Sequence, residues 1–391
     1  MILLGVPSDG PVYQRDVICK DSVYRGWVRG TFLLGLSLAA LLFFVYPSFL
    51  PAAESSGHCR EHKAQGRGKQ ALVRHLDKAC TPEQRERRSI HADDILQALQ
   101  KGRDVDLSGV IVKGDLRLEA LPIRTLDKVL PALSPDDRQT VERLGAPAIR
   151  YIAGTLSVRD SEVRGRILNR MKDERLVISG PVIFSGTRFQ EAVDLSKTVF
   201  LGVVDCSSAS FAKESYFVQA RFQRPVLFTQ TVFGPHTRFH RSAFHGAATF
   251  YHARFNGLAE LLEVSFEQGA GFSGTQFTSG TGFSGSRFGG TADFLEAQFE
   301  GDVYFLFTRF EHEARFRGTA FAAVADFSDA LFAAGQDLAQ ADFVKPPQLP
   351  QSLRSEIPMP AVPQSWMAQY GVTLGFLLMA LLLLGYLLKI K

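Results

Sequence analysis

The sequence GFSGTQFTSGTGFSGSRFGGTADFLEAQF, residues 271–299, shows the pattern that decides the fold of this chain. Phenylalanine recurs in it at steps that alternate between five and six residues, at positions 272, 277, 283, 288, 294 and 299. The same alternation of large residues runs without a slip from Phe184 to Phe343, and we call these the core positions. Phenylalanine fills most of them, and the exceptions are Leu195, Cys206, Leu261 and Leu338. A fixed short period of this kind predicts a solenoid, in which each unit buries its apolar face against its neighbours.

A second pattern accompanies the first, because the residue two before each core position is nearly always small or β-branched. Examples are Thr187, Val193, Thr198, Val204 and Ala209, and only Gln336 departs from the pattern. Glycine commonly stands two residues after a core position, as at Gly186, Gly246, Gly257, Gly274, Gly285, Gly290, Gly301 and Gly318. A small and a large residue pointing inward, followed by a glycine, predict one short side of a coil that ends in a tight corner.

Four such sides, of five, six, five and six residues, predict a coil of 22 residues. If coils stack at the strand spacing of about 4.8 Å, each core residue lies on the core residue one coil later. We therefore expect Phe255 to lie between Phe233 and Phe277, in a column made only of phenylalanine. The repeats make between seven and eight coils, which corresponds to a rod roughly 35 Å long.

Over residues 182–343 the two patterns resemble the pentapeptide-repeat family, in which Leu or Phe is the centre of each unit and a small residue stands two before it. The sixth residue in every second unit departs from that family and predicts that alternate sides are wider. The resemblance implies a mainly β fold, a right-handed quadrilateral parallel β-helix. It implies little about function, although the best-known members are acidic cytoplasmic dimers that imitate DNA and shield topoisomerases.

Two further stretches are long and apolar enough to cross the roughly 30 Å of hydrocarbon in a bilayer as helices. The first covers residues 27–50, and the second covers residues 366–391 and has no charge before Lys389. The first stretch, followed by Pro-Ala-Ala at 51–53, also fits a secretory signal that is cleaved. Its apolar run is long for a signal and follows a long segment of chain, so the sequence favours an uncleaved membrane anchor.

Basic residues predict how the two spans are oriented. Arg15, Lys20, Arg25 and Arg29 precede the first span, whereas Lys389 and Lys391 close the second. The flanks that face each other between the spans carry less positive charge. The positive-inside rule therefore places both termini, including residues 1–26, in the cytoplasm and residues 52–365 outside it. In a bacterium this predicts an inner-membrane protein whose bulk is periplasmic or extracytoplasmic.

Residues 51–180, between the first span and the repeats of 181–343, are mixed and polar. The amphipathic pattern of residues 92–102 predicts a helix that ends at a glycine, and Ser134 followed by proline predicts another that runs to about Leu144. Residues 105–118 and 167–183 read as irregular early coils. Because the end of a solenoid exposes strand edges and an apolar cross-section, we expect helix 92–102 to cap it.

Residues 344–365 contain six prolines, at positions 346, 347, 350, 358, 360 and 363. Such a composition predicts a semi-rigid linker between the repeats and the second span.

The cysteines on the exported side allow three interpretations. Cys59 and Cys80 lie where disulfides persist, and we favour a bond between them. Together with His62 and His75 they also show a four-ligand spacing compatible with zinc, although the order of ligands is unusual. Unpaired thiols are the third interpretation. Cys206 occupies a core position and is interpreted as a buried apolar residue.

The repeats offer no arrangement of catalytic residues. Their register admits no inserted residue from 184 to 343, so no catalytic loop or lid projects from the coils. The histidines at 236, 240, 245 and 252 cluster within one coil and are interpreted as surface residues, with a metal or pH-sensing patch as the less favoured alternative. Carboxylates are spread along the repeats rather than paired for acid and base roles. We therefore predict a chain that is not an enzyme and uses no cofactor, with an active site in residues 54–180 as the less favoured alternative.

The favoured function is a membrane-tethered scaffold or protein-interaction module whose rod stands outside the cytoplasm. A DNA mimic that protects topoisomerases is the first alternative, but 13 Lys and Arg against 17 Asp and Glu over residues 181–345 make the repeats only slightly acidic, and we expect no nucleic-acid partner. An accessory subunit of a channel or transporter is the second, because some pentapeptide-repeat proteins carry pore domains after the repeat. This chain has one C-terminal span and no Thr-Val-Gly-Tyr-Gly filter, so only an accessory role is predicted.

A group of outward-facing apolar residues is the candidate interface. Its members are Val218, Leu262, Tyr304, Leu306 and Phe307. Contiguous exposed apolar residues often mark a contact surface, and aromatic residues are favoured at contact centres. The partner predicted for this surface is an unidentified protein or a second copy of the chain.

Overall fold

The structure is a computed structural model, and it describes residues 59–62, 71–146, 148–171 and 174–355 of the chain. Both predicted membrane spans, at 27–50 and 366–391, lie outside these ranges, and so does the predicted linker from residue 356 onward. Within the described ranges, no helix combines the length and apolar character needed to cross a membrane.

The repeats fold into coils whose strands stack in four parallel sheets, as the period predicts. From Leu176 onward the strands of successive coils pair in one constant register, for example Leu176 with Thr198 and Val204 with Val226. This register confirms the predicted coil length and the solenoid architecture.

Sheets 1 and 2 each contain eleven strands. The strands of sheet 1 are Glu61–His62, Ala71–Leu76, Asp104–Ser108, Leu156–Arg159, Val182–Ile183, Val204–Asp205, Val226–Leu227, Ala248–Thr249, Ala270–Gly271, Ala292–Asp293 and Ala314–Arg315. The strands of sheet 2 are Ile90–His91, Ile111–Lys113, Glu162–Val163, Arg188–Phe189, Ser210–Phe211, Val232–Phe233, Arg254–Phe255, Gln276–Phe277, Gln298–Phe299, Ala320–Phe321 and Asp342–Phe343.

Sheets 3 and 4 contain nine and ten strands. The strands of sheet 3 are Leu116–Arg117, Ile167–Leu168, Val193–Asp194, Ser215–Tyr216, His236–Arg238, Leu258–Glu260, Thr281–Gly282, Val303–Tyr304 and Ala325–Asp326. The strands of sheet 4 are Ile123–Thr125, Ala148–Ile152, Arg175–Ile178, Thr198–Phe200, Arg221–Phe222, Ala243–Phe244, Ser265–Phe266, Arg287–Phe288, Arg309–Phe310 and Leu331–Phe332. Two pairings, at the N-terminal ends of sheets 1 and 4, are antiparallel.

The core positions form the interior of the coils. All of them are buried except Phe332 and Phe343 near the C-terminal end, which are half-buried. Phe255 stacks between Phe233 and Phe277, with ring centroids 4.5 and 4.9 Å away. The inward assignment of the core positions and their stacking in columns are therefore confirmed.

Glycines two residues after a core position serve two different purposes. Gly274 has a φ of +64° and forms a tight corner, as predicted. Gly257 has no positive φ; a Cβ there would instead collide with the backbone of Pro235 in the previous coil. Corners with positive φ also accept other residues, among them Lys197, Gln219, Arg241, Glu263 and Phe307. Glycine therefore does not by itself identify the tight corners.

Several threonines at the small inward positions hydrogen-bond to the preceding coil. The hydroxyl of Thr275 donates to the carbonyl of Phe250 at 2.6 Å, and that of Thr231 donates to the carbonyl of Cys206 at 2.7 Å. Each hydroxyl thereby satisfies its own hydrogen-bonding need inside the core, where an unpaired polar group is costly.

The first coils are irregular, and helical segments interrupt the chain between Pro82 and Glu142. Ile167 pairs with Val193 and Val105 pairs with Leu156, so both pairs enclose more chain than a regular coil does. The helices are α1 (Pro82–Arg87), α2 (Ala92–Gln100), α3 (Leu126–Val129) and α4 (Pro135–Glu142), and the 3-10 turns are Leu118–Ala120, Leu130–Ala132, Leu338–Gln340 and Gln351–Leu353. Sheet 1 begins well before residue 181, so the coils extend further toward the N-terminus than the repeats alone indicate.

Helix α2 lies where the sequence predicts a helix over 92–102. Its residues Ile95 and Leu99 are buried in the same core as Val105 and Leu107 of the next strand. The helix therefore supplies an apolar face to the first coils, next to the core that they enclose.

Helices α3 and α4 pack on the outside of sheet 4, which sequence reasoning missed. Val129 and Val141 form a second core with Ile149, Val177 and Val199. The continuous apolar run at residues 176–178 is the signal for this packing, because a strand that is covered on both faces does not alternate.

The start of the Pro-rich segment differs from the predicted linker. Gln348 bridges to Asp326 as the next coil would, and Leu349 and Leu353 are buried in the main core. Residues 344–355 therefore cover the C-terminal end of the coils. Covering the apolar end of the solenoid buries surface that would otherwise face water. This burial outweighs the preference of a proline-rich segment for an extended linker.

Candidate interaction surface

Three residues of the candidate interface stand together on the outer side of sheet 3. Val303 and Phe305 point into the core, so the residues between and after them face outward. Tyr304 is 39% exposed and Phe307 is 68% exposed, whereas Leu306 is half-buried. We call these three outward residues the aromatic patch.

Phe307 departs from the residues at the same corner of the other coils. Those residues are Lys197, Gln219, Arg241, Glu263, Gly285 and Asp329, all polar or glycine. The backbone of Phe307 has a φ of +56°, a left-handed conformation that costs an ordinary residue roughly 1–2 kcal/mol. Equivalent corners such as Lys197 and Arg241 share this positive φ, so the backbone conformation belongs to the coil, and only the exposed apolar side chain is peculiar to Phe307.

Of the other predicted members, Leu262 adjoins the patch and Val218 does not. The side chain of Leu262 lies over Gly282, whose strand partner in the next coil is Tyr304. Val218 is half-buried and lies two coils before Leu262. Leu258, which sequence reasoning missed, is 41% exposed and lies near Gly280. Its position three residues before the core position Leu261 is the only sequence signal for it.

Ion pairs between successive coils balance part of the charge on the repeats. Arg241 binds Glu263 at 2.8 Å, and Arg287 binds Glu311 at 2.6 Å. The hydrogen bonds from these arginines hold the pKa of Glu263 and Glu311 below their usual range. Both carboxylates are therefore ionised and paired at neutral pH.

Two of the clustered histidines also contact carboxylates of the next coil. His236 lies 2.8 Å from Glu260, and His245 lies 2.8 Å from Glu267, each on the following coil. The side chains at this place thus contact carboxylates of the next coil rather than converge on one point. Across the described residues, no group of three or more His, Cys, Asp or Glu side chains is arranged to hold a metal ion.

Cys59 and Cys80 form a disulfide, the pairing that the sequence favoured. With both sulfurs bonded to each other, the alternative zinc set loses two of its four ligands. The remaining two, His62 and His75, lie opposite each other on the antiparallel strand pair of sheet 1. Cys206 is buried among the core positions, and burial raises the pKa of its thiol above the usual range.

The described part of the chain is a β-solenoid, and such a rod is a structural or protein-interaction module. A family model described as "Pentapeptide repeats (9 copies)" matches residues 207–254, 250–298 and 261–309. This stretch of the solenoid therefore consists of pentapeptide repeats, which are generally structural modules and not enzymes. A search of curated proteins found no match, and a search of solved structures also found none.

Proposed function

We propose that this chain is a non-enzymatic, membrane-tethered scaffold that presents its β-helical rod to a protein partner outside the cytoplasm. The rod is a variant of the pentapeptide repeat in which units of five and six residues alternate. The constant strand register from one coil to the next supports this variant.

The aromatic patch is the observation that carries the proposed interaction. The equivalent positions one coil earlier are Gly282 and Gly285, and one coil later Asp326 and Asp329. At these positions, exposed aromatic residues therefore occur in one coil and not in its two neighbours, although the fold is the same in all three. Because the neighbouring coils fold without aromatic residues at these positions, we interpret the aromatic residues as a contact surface and not as a requirement of the fold.

Export of the rod is supported by separate features. The distribution of basic residues around the spans at 27–50 and 366–391 favours an exterior location for the repeats. A disulfide such as Cys59–Cys80 persists in oxidising compartments. In a bacterium the proposed location is the periplasmic side of the inner membrane.

Crosslinking in native membranes tests the interaction. We expect the full chain to crosslink to a partner protein or a second copy, and Tyr304→Ser, Leu306→Ser and Phe307→Ser together to abolish that product. The patch residues are exposed or half-buried, so the triple variant should keep its fold.

A triple variant elsewhere on the rod is the matched control. Substituting the exposed residues Arg241, Arg254 and Arg287 by serine should leave the crosslinked product in place. If the patch variant crosslinks as the wild type does, this surface is not the interface.

A further inference from the structure

The outer face of sheet 1 contains a hollow that the repeat does not explain. It has a volume of about 270 Å³. Residues that line it include Tyr251, Gly269, Gly271, Thr291, Asp293 and Arg315. It lies on a different sheet from the aromatic patch.

Two glycines create the hollow. Gly269 has a φ of +97°, although it stands three residues after a core position, where other coils do not have a tight corner. The Ala248 amide lies 3.5 Å from the Gly269 carbonyl, whereas the equivalent distance one coil earlier, from Val226 to Ala247, is 2.9 Å. Gly271 leaves the outer face without a side chain where Leu227 stands two coils earlier.

Tyr251 forms one wall of the hollow. The equivalent residues of neighbouring coils, Thr229 and Ser273, are small and polar. The ring of Tyr251 lies against Gly271 so closely that a Cβ on this glycine would collide with it, yet Tyr251 is 40% exposed. The backbone of the next coil therefore supports the ring, and the rest of the ring faces solvent.

A carboxylate and a guanidinium continue the same line along the sheet. Gly271, Asp293 and Arg315 are strand partners on successive coils, so they follow one another at about 4.8 Å. One oxygen of Asp293 accepts the amide of Leu295, which leaves the other oxygen available as an acceptor. Arg315 donates Nε and Nη2 to Glu313, which leaves Nη1 as a donor.

We propose that this hollow binds a pyranose ring of a glycan. The C–H face of a pyranose is apolar and stacks on an aromatic ring, whose face carries partial negative charge. The vicinal hydroxyls of the sugar both donate and accept, and therefore match a carboxylate beside a guanidinium. The negative charge of Asp293 disfavours a phosphate ligand. The volume of the hollow suits one sugar ring better than a larger molecule. This site does not depend on the proposed partner or membrane topology.

Binding of neutral oligosaccharides tests the proposal. The full chain, in a detergent without a sugar headgroup, would be titrated with chitotetraose, cellotetraose and maltotetraose by calorimetry. We expect at least one of them to bind with a Kd of about 1 mM or tighter. Tyr251→Ala and Asp293→Asn should each weaken that binding at least about tenfold, which corresponds to about 1.4 kcal/mol.

Two further variants separate a binding site from a general effect on the rod. Arg254→Ala removes an exposed side chain on sheet 2, outside both proposed surfaces, and should leave the affinity unchanged. Gly271→Ala keeps Tyr251 but displaces its ring, and should weaken binding as Tyr251→Ala does. Absence of binding by all three oligosaccharides up to about 10 mM would overturn the proposal. Unchanged affinity in Tyr251→Ala would overturn it as well.

Discussion

At the scale of single residues, the position within the coil decides what a side chain contributes. Phe255 and Arg254 are neighbours in sequence, yet one is buried between two phenylalanines and the other is exposed. Because the same environment recurs once in every coil, each substitution has an equivalent in the next coil. The repeat therefore provides its own controls.

Phe255→Ala should be strongly destabilising. Removing a ring that stacks on both sides leaves a cavity in a close-packed column, at a cost of about 3–5 kcal/mol in the free energy of unfolding. Arg254→Ala should cost less than about 0.5 kcal/mol, because its side chain is exposed and hydrogen-bonds to the surface residues Asn256 and Gln276. Denaturant unfolding followed by circular dichroism measures both. Similar losses for the two variants would contradict the inward assignment of Phe255.

The inward hydroxyls lead to a second comparison between buried residues. Thr275→Val keeps the shape of the side chain but removes the donor to the Phe250 carbonyl, and should cost about 1–2 kcal/mol. Ser242 is also buried, but its hydroxyl has no hydrogen-bond partner among the described residues. Ser242→Ala removes a buried unpaired hydroxyl, and should therefore leave the free energy of unfolding unchanged or raise it slightly. If both variants lose the same free energy of unfolding, the hydrogen bond of Thr275 contributes nothing beyond packing.

At the scale of elements, the ends of the solenoid depend on segments outside the repeat. Helix α2 adds apolar residues to the first coils, and residues 344–355 cover the last. Helix α2 was predictable because its amphipathic pattern precedes a strand. The packing of residues 344–355 on the last coil was not predictable, because Leu349 and Leu353 follow no period and stand among prolines. The packing of α3 and α4 on sheet 4 depends on tertiary contacts that no local pattern specifies.

The disulfide joins the N-terminal strands of sheet 1 to the segment before α1. We expect protein isolated without reductant to yield a linked Cys59–Cys80 peptide by mass spectrometry after alkylation. Reduction should lower the free energy of unfolding by about 2–4 kcal/mol, because the bond closes a loop with a sequence separation of 21. The variant with both cysteines changed to serine should lack this response to reductant. Finding two free thiols and stoichiometric zinc would contradict the disulfide and favour the metal site.

At the scale of the whole molecule, the sequence predicts the solenoid well because one interaction, stacking of core residues, is repeated many times. The candidate surfaces are different, since each is defined by a departure from the repeat. The aromatic patch was visible in sequence because outward positions follow directly from the register. The hollow beside Tyr251 was not, because it depends on the distorted backbone at Gly269 and on the missing side chain of Gly271.

Membrane topology gives the last prediction. The basic residues before residue 27 and after residue 388 favour both termini in the cytoplasm, with the repeats outside. A reporter that is active only after export should therefore be active when fused after Ser365 and silent when fused after Lys391. Changing Arg15, Lys20, Arg25 and Arg29 to serine should reduce the difference between the two fusions, since these charges contribute to the orientation. The reverse pattern in the wild type would place the rod in the cytoplasm and favour the DNA-mimic alternative over an exported scaffold.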